Sequence, residues 1–219
     1  MNKDIIINKI TTPTGRIYEV GRNRYPSITT VLSAGEDKSF LVEWRKRVGD
    51  VEADRITKES TDIGTHMHLC FEHFLKGIEL PPHNTPEEAK GYKMFRAGSS
   101  FIRDFVKEVI GQECIVWSDI LKVAGQFDLL CKNRKGEIVL VDFKSTKFKK
   151  TKAQADDYRL QCAFYRQCIK ETMDLDIHHS SLFFVTRACE PYWMRFENSE
   201  TTFKELVDAR LKFCELKGF

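Results

Sequence analysis

Ile138-Val139-Leu140-Val141-Asp142-Phe143-Lys144, IVLVDFK, begins as an apolar strand and then sets an acid and a base two positions apart. The turn before it, Asn133-Arg134-Lys135-Gly136, decides what that acid faces. If Arg134-Lys135-Gly136 is a three-residue hairpin loop with Gly136 in the left-handed position, Asn133 opposes Glu137 and, further along the same register, Asp128 opposes Asp142. A two-residue loop would shift the pairing by one and send the two carboxylates to opposite sides. Two facing acids repel, and removing them from water costs several kcal/mol each unless something neutralises them. A divalent cation would do so. Lys144 shares the strand face of Asp142 by two-residue alternation and stands beside the ion.

An isolated D-x-K is more often a solvated edge pair, worth about 0 to 1 kcal/mol. Here GQFD at 125–128, the hairpin register and the residues downstream favour the functional reading. Oxygen ligands at Asp128 and Asp142 suit Mg²⁺ or Mn²⁺ better than zinc. An activated water, a charge clamp on phosphorus and a lysine to orient the water are what phosphodiester hydrolysis requires. Downstream, KSTKFKKTK places five lysines in the nine positions from Lys144 to Lys152, with no acid. Lys147, Lys149 and Lys150 are therefore candidates for holding a phosphate backbone, with a salt-dependent affinity. Trp44 beside Arg45, Lys46 and Arg47 offers an aromatic face above a cationic patch, although a tryptophan is more often core.

The rest of the chain frames this centre. DIIINKI and RIYEV, separated by TPTG, read as an N-terminal hairpin. YPSITTVLSAG reads as a short helix capped by Ser27 or Thr29 and ended by Gly35. The stretch from Ser39 to Ile110 is helix-rich, broken by a loop at GIELPPHNTP. Within it Ile63, Met67, Phe71 and Phe74 recur at helical spacing as a buried stripe, and His68 and Glu72 share an adjacent face. Then ECIVW, LKVAGQFDLLCK and EIVLVDFK are strands, followed by a helix near 153–172, strands SLFFVTR and YWMRF, and a final helix. A mixed sheet covered by helices makes an α/β fold. Length and a hydrophobic content of 42% suit one domain over 1–219. Its parts are a hairpin (1–24), a helical part (25–110), a sheet and helix carrying the chemistry (111–196) and a terminal helix (197–219).

Net charge is only +3, which permits a polyanionic partner without requiring one. No apolar run is long enough to span a membrane, and MNKDIIINKI lacks the order of a secretory signal, so a soluble, cytoplasmic protein is expected. The seven cysteines are scattered among apolar neighbours and read as reduced core thiols.

The order GTHMH (64–68), Glu113, GQFD (125–128), VDFK (141–144) and QCAFY (161–165) resembles the PD-(D/E)xK nuclease superfamily. Its RecB-type branch runs G-T-x-x-H, G-x-x-D, D-x-K and Q-x-x-x-Y. YPSITTVLS and VEWRKR are similar to segments of the group that contains the mitochondrial genome maintenance exonuclease and its phage-encoded relatives. This likeness spans roughly residues 25 to 186 and leaves out both termini. It implies the restriction-endonuclease-like fold, with a helix-rich N-terminal half. It also implies His68, Asp128 and Asp142 as metal ligands, with the Phe143 carbonyl, and Lys144 as the catalytic lysine. Glu113 takes the place of an acid that precedes the G-x-x-D strand. Gln161 and Tyr165 would support the site and contact nucleic acid; Ser27 and Thr29 belong to the P-S-[IV]-T segment placed with the nucleic-acid contacts.

Phe127 stands where the superfamily's name has proline. The four-cysteine spacing of the iron–sulfur members is missing, so no cluster is expected. Nor is zinc, although His66, His68, His73 and Glu72 offer an alternative set through the helical spacing of His68 and Glu72.

The resemblance implies a Mg²⁺- or Mn²⁺-dependent exonuclease acting on single-stranded DNA or DNA ends in replication, recombination or repair. Two other readings are a structure-specific endonuclease of the same fold and a catalytically silent nucleic-acid-binding protein.

Overall fold

The computed structural model describes residues 6–217. Asp4 and Ile5, counted above in the first strand, and Gly218 and Phe219, counted in the final helix, lie outside them. The turn at Asn133 has the three-residue form. Asn133 N donates to Glu137 O at 2.9 Å and Gly136 N to Asn133 O at 3.0 Å. Gly136 sits at φ +85°, a left-handed conformation that glycine adopts without a Cβ penalty. The Asn133 carboxamide oxygen closes the loop by accepting from Lys135 N and Glu137 N. Strands β5 (Val123–Asn133) and β6 (Ile138–Thr146) therefore pair from Lys132↔Ile138 to Leu129↔Val141. One step further, where this ladder stops, Asp128 and Asp142 occupy opposed positions.

The central sheet has the order β4-β5-β6-β7-β8, completed by β4 (Val106–Ser118), β7 (His179–Thr186) and β8 (Pro191–Glu197). All neighbours are antiparallel except β6 and β7. That parallel pair needs a crossover, which α5 (Asp156–Met173) supplies. β6 is buried from Val139 to Phe143 because helices cover both faces of the sheet, hence its unbroken apolar run.

On one face, α1 (Ile28–Ala34), α5 and α6 (Phe203–Lys217) contribute to a core with Leu130, Leu140, Phe164 and Phe184. On the other, α3 (Asp50–Lys76) and α4 (Pro86–Phe105) pack Met67, Phe71 and Phe95 against Leu129, Val141 and Phe143. The Phe71 ring stacks on Phe143 at 4.5 Å, and burying it stabilises the fold by about 2–3 kcal/mol. α4 starts where Thr85 and Glu88 form a reciprocal capping box with Pro86 next in line, which satisfies the free N–H groups of the first turn. Helix α2 (Ser39–Val48) has no buried residue. No helix among the described residues is long and apolar enough to cross a membrane.

Two boundaries differ from the sequence reading. The helical part ends at Phe105 and not at Ile110, since Val106 begins β4 and pairs with Asn133 through two register shifts. At the N-terminus, β1 (Ile7–Thr12) and β2 (Gly15–Val20) gain a third strand, β3 (Asn23–Pro26). Tyr25 and Pro26 are therefore strand, and the helix begins after them with Ser27 as its cap.

Candidate active site

Three neighbouring strands each bring one carboxylate to the same level. The pairs Gln112↔Leu129 and Cys114↔Phe127 set Glu113 opposite Asp128 on one side, and the hairpin register sets Asp142 opposite it on the other. Glu113 has φ +51°, a left-handed conformation uncommon for a residue with a side chain. From α3, His68 Nδ1 comes within 3.4 Å of Asp128 Oδ2. Donor atoms of His68, Glu113 and Asp128 all lie within 4.8 Å of one another. Asp128 Oδ2 also accepts from Phe143 N at 2.7 Å. With the ladder ended, that N–H has lost its strand partner, and the carboxylate satisfies it.

Asp142 stands outside this donor group. It is 3% exposed, and Lys144 Nζ lies 2.5 Å from its Oδ2. The approach is a charge contact without hydrogen-bond angles, and no other hydrogen bond reaches that oxygen. Lys144 is held from behind: Nζ donates to Gln161 Oε1 at 3.2 Å, Gln161 Nε2 to Tyr165 OH at 3.4 Å, and Tyr165 OH to Gln126 O at 2.8 Å. The Tyr158 ring flanks Nζ at 4.8 Å. Gln161 and Tyr165 are buried, and this relay occupies their polar atoms, so they act on the site through Lys144 and Gln126. The glycine of GQFD has a steric reason: a Cβ on Gly125 would sit 2.5 Å from Tyr165 Cε1.

The sequence reading passed over two of these residues. Gln126 Nε2 donates to Glu113 Oε2 at 2.9 Å and to Glu113 O at 3.1 Å, fixing the unusual backbone there. Its only signal was its place inside GQFD. Tyr158 gave none.

Burial works to lower the His68 imidazole, but the Asp128 carboxylate outweighs it and the net shift is upward. Asp128 is shifted down: burial opposes its charge, while His68, Lys144 and the Phe143 N–H favour it. For Asp142 burial dominates over Lys144, and with the added repulsion of Asp128 its carboxyl is raised to about 6. Burial and then the Asp128 charge push Glu113 up to about 7. Lys144 is shifted upward, because Asp142 and Asp128 more than offset its burial. The donor set of one imidazole and two carboxylates suits a hard or borderline divalent ion, and the raised proton affinities of His68 and Glu113 mark places where a cation can replace a proton.

The other predicted positions are dispersed. Ser27 is 2% exposed and caps α1, its Oγ accepting from Thr30 N at 3.0 Å. Thr29 hydrogen-bonds to Ser27 and does not cap. Trp44, half-buried, lines a cleft of about 980 Å³ between α2, α3 and α4 that reaches Ser145 and Lys147. Arg45 points its guanidinium at Asp50 and Asp54. Lys149 pairs with Glu190 at 3.4 Å, Lys150 Nζ reaches Gln154 O at 3.4 Å, and Lys147 lies over Phe148. Of the alternative zinc set, His66 is buried with Nε2 unpartnered, His73 bonds Glu79 O and Glu72 pairs with Lys76. They do not converge on His68. The cysteines are all free.

No curated protein matches this chain. Among solved structures, SSO0001 is similar over 88% of this chain and 75% of its own, at 13% identity and a TM-score of 0.51, which is a likeness of fold. A candidate exonuclease from Eubacterium rectale aligns over 73% of this chain and 65% of its own, at 12% identity and a TM-score of 0.47. A phage-related exonuclease from Haemophilus somnus aligns over 87% and 90%, at 13% and 0.35. The model of the PD-(D/E)XK nuclease superfamily matches residues 40–206, a span that contains His68, Glu113, Asp128, Asp142, Lys144, Gln161 and Tyr165. The chain belongs to the PD-(D/E)XK nuclease superfamily, whose members hydrolyse phosphodiester bonds.

Proposed function

We propose that this chain is a Mg²⁺- or Mn²⁺-dependent exonuclease that degrades single-stranded DNA or DNA from free ends, in replication, recombination or repair. Its motif order supports a reading within the RecB-type branch, near the group of the mitochondrial genome maintenance exonuclease. The observation that carries the reading is the adjoining of a His68–Glu113–Asp128 donor group to a buried Asp142–Lys144 pair. When bound, a divalent ion there supplies Lewis acidity toward the phosphate and a lowered pKa for water. His68, Glu113 and Asp128 would hold it, with Asp142 and the Phe143 carbonyl as the further expected donors. Lys144, kept charged by Asp142 and aimed by Gln161, orients the attacking water and offsets the negative charge that grows on phosphorus.

Preference for an unpaired strand rests on the cleft beside Ser145. Phe40, Trp44 and Ile56 give it flat apolar surface, and Lys90, Lys147 and Arg187 give it positive charge. Stacking platforms alternating with cations suit single strands, because every base has a π-face. Ser145 follows Lys144 directly, so a strand in the cleft leads to the reacting position.

The test is digestion of end-labelled linear single strands beside a circular control, with Mg²⁺ or Mn²⁺ and with chelator. Linear DNA should be shortened from an end, the circle should survive and chelation should stop the reaction. Cleavage of the circle would instead identify an endonuclease. Binding without any cleavage would identify a catalytically silent binding protein.

A further inference from the structure

The N-terminal sheet lies outside the superfamily match, which begins at residue 40, yet it reaches the donor group. Its register pairs Ile7↔Val20, Lys9↔Tyr18 and Thr11↔Arg16, which puts these side chains on one face. The apolar part of that face, Ile7, Tyr18, Val20 and Tyr25, packs on Ile115, Trp117 and Ala124 of the central sheet. Tyr25 OH fastens it by donating to Asp119 Oδ1 at 2.6 Å. The charged part overhangs the acids. Lys9 and Arg16 line a concavity of about 420 Å³ together with His68, Glu113, Gln126 and Asp128. Lys9 Nζ donates to Gln126 Oε1 at 2.9 Å.

We propose that Lys9 and Arg16 form a phosphate subsite for single-stranded nucleic acid. It takes the phosphate next to the one being cleaved, on the side away from Lys147–Lys150. The inference rests on reading the donor group as a nuclease centre and adds the path of the strand across it. Two openings flank the acids. Ser145 and Lys147 line one; Asp128, Glu113, Lys9 and Arg16 line the other. A strand whose scissile phosphate lies over Asp128 must continue into the second opening, where only these two side chains of the lining offer lysine or arginine charge.

Both are exposed, and neither forms an ion pair among the described residues. Burial and then the neighbouring Arg16 charge depress the Lys9 ammonium, and the Glu113 carboxylate only partly offsets them. The carboxylates of Glu113 and Asp128 balance a divalent ion, which leaves the charges of Lys9 and Arg16 for an anion of the substrate.

The experiment measures affinity for a fluorescent single-stranded oligonucleotide by anisotropy, with Mn²⁺ present in a Lys144→Ala background so that the strand is not cut, and across a salt series. It compares the full chain with Lys9→Gln, Arg16→Gln and the double variant. In parallel, one charge-neutral methylphosphonate linkage is moved along the oligonucleotide, and cleavage with Mn²⁺ is followed. The double variant should bind roughly tenfold more weakly, and its log–log salt slope should shrink by about 1.4, two contacts at about 0.7 each. A neutral linkage beside the cleaved one should weaken the unmodified protein and have no further effect in the double variant.

Unchanged affinity and slope would overturn the subsite, as would a linkage effect that survives in the double variant. So would Lys9→Gln slowing cleavage at unaltered affinity, because Lys9 would then act only through Gln126. Should a variant unfold, the linkage scan on the unmodified protein still decides: no sensitive position beside the cleaved bond means no subsite. Cleavage that ignores Lys9 and Arg16 refutes the subsite alone. Binding that depends on them without cleavage in Mn²⁺ refutes the nuclease reading alone.

Discussion

Metal binding should be strongly pH-dependent, and the size of the effect follows from Glu113. Its carboxyl, pushed up to about 7 by burial and the Asp128 charge, must lose its proton before it can ligate. From about pH 8 to about pH 5.5 that requirement alone weakens Mn²⁺ binding about 30-fold, or about 2 kcal/mol. His68, also shifted upward, must be neutral to ligate and steepens the fall. Isothermal titration with Mn²⁺ measures both the affinity and, in buffers of different ionisation enthalpy, the protons released per ion. Glu113 alone should release about one proton per ion near pH 6 and His68 should add to it, and Glu113→Gln should bind more weakly near pH 8 with a flatter dependence.

The same shift fixes the sign for stability. A carboxyl raised in the fold binds more protons there than in the unfolded chain. Between its unfolded value of about 4.5 and its folded value of about 7, rising pH therefore destabilises the metal-free protein. The lowered Asp128 acts oppositely only in acid below this window; within it the lowered His66 and His179 oppose the trend, while the raised Asp142 and His68 add to it. Melting temperature without metal should thus fall from about pH 5.5 to about pH 8, by less than about 2 kcal/mol in stability because Glu113 is only half-buried and solvent screens its charge, while the gain from Mn²⁺ rises. An Mn²⁺ affinity that is flat across this range would refute the donor group.

Lys144→Ala should lower single-turnover cleavage by about 10²–10³-fold or more while calorimetry still shows Mn²⁺ binding, because Lys144 is not a ligand and the bound ion itself neutralises the Asp142 carboxylate that Lys144 leaves behind. Gly125→Ala drives a Cβ to 2.5 Å from Tyr165 Cε1 and 2.9 Å from Ile28 Cδ1. It should cost about 1–3 kcal/mol in urea unfolding and also slow cleavage, since Tyr165 supports Gln161 and thereby Lys144. Phe71→Ala removes a fully buried ring stacked on Phe143 and should lower the urea midpoint by the equivalent of about 3–5 kcal/mol.

What the sequence could disclose depended on how far each geometric rule reaches along the chain. Gly136 sets a loop length, loop length sets register, and register carries without loss over the few residues to Asp128 and Asp142. That opposition was therefore legible from one glycine. The helix stripe Ile63, Met67, Phe71 and Phe74 was legible for the same reason, since periodicity is local. Glu113 was not. The four-residue turn that joins β4 to β5, residues 119–122, holds no glycine, and Lys122 takes the left-handed conformation there at φ +52°, so no residue announced the loop type from which the even register of Ser118↔Val123 to Gly111↔Leu130 could be counted. The sequence pattern marked an acid at that position; only the fold shows it across from Asp128, with a backbone φ of +51° and Gln126 holding it there. Gln161 and Tyr165 were legible only in part, by a related argument. Helical spacing puts them on one face, but which face meets the sheet depends on how the crossover lies. It turns them inward, where Gln161 accepts from Lys144 and Tyr165 accepts from Gln161.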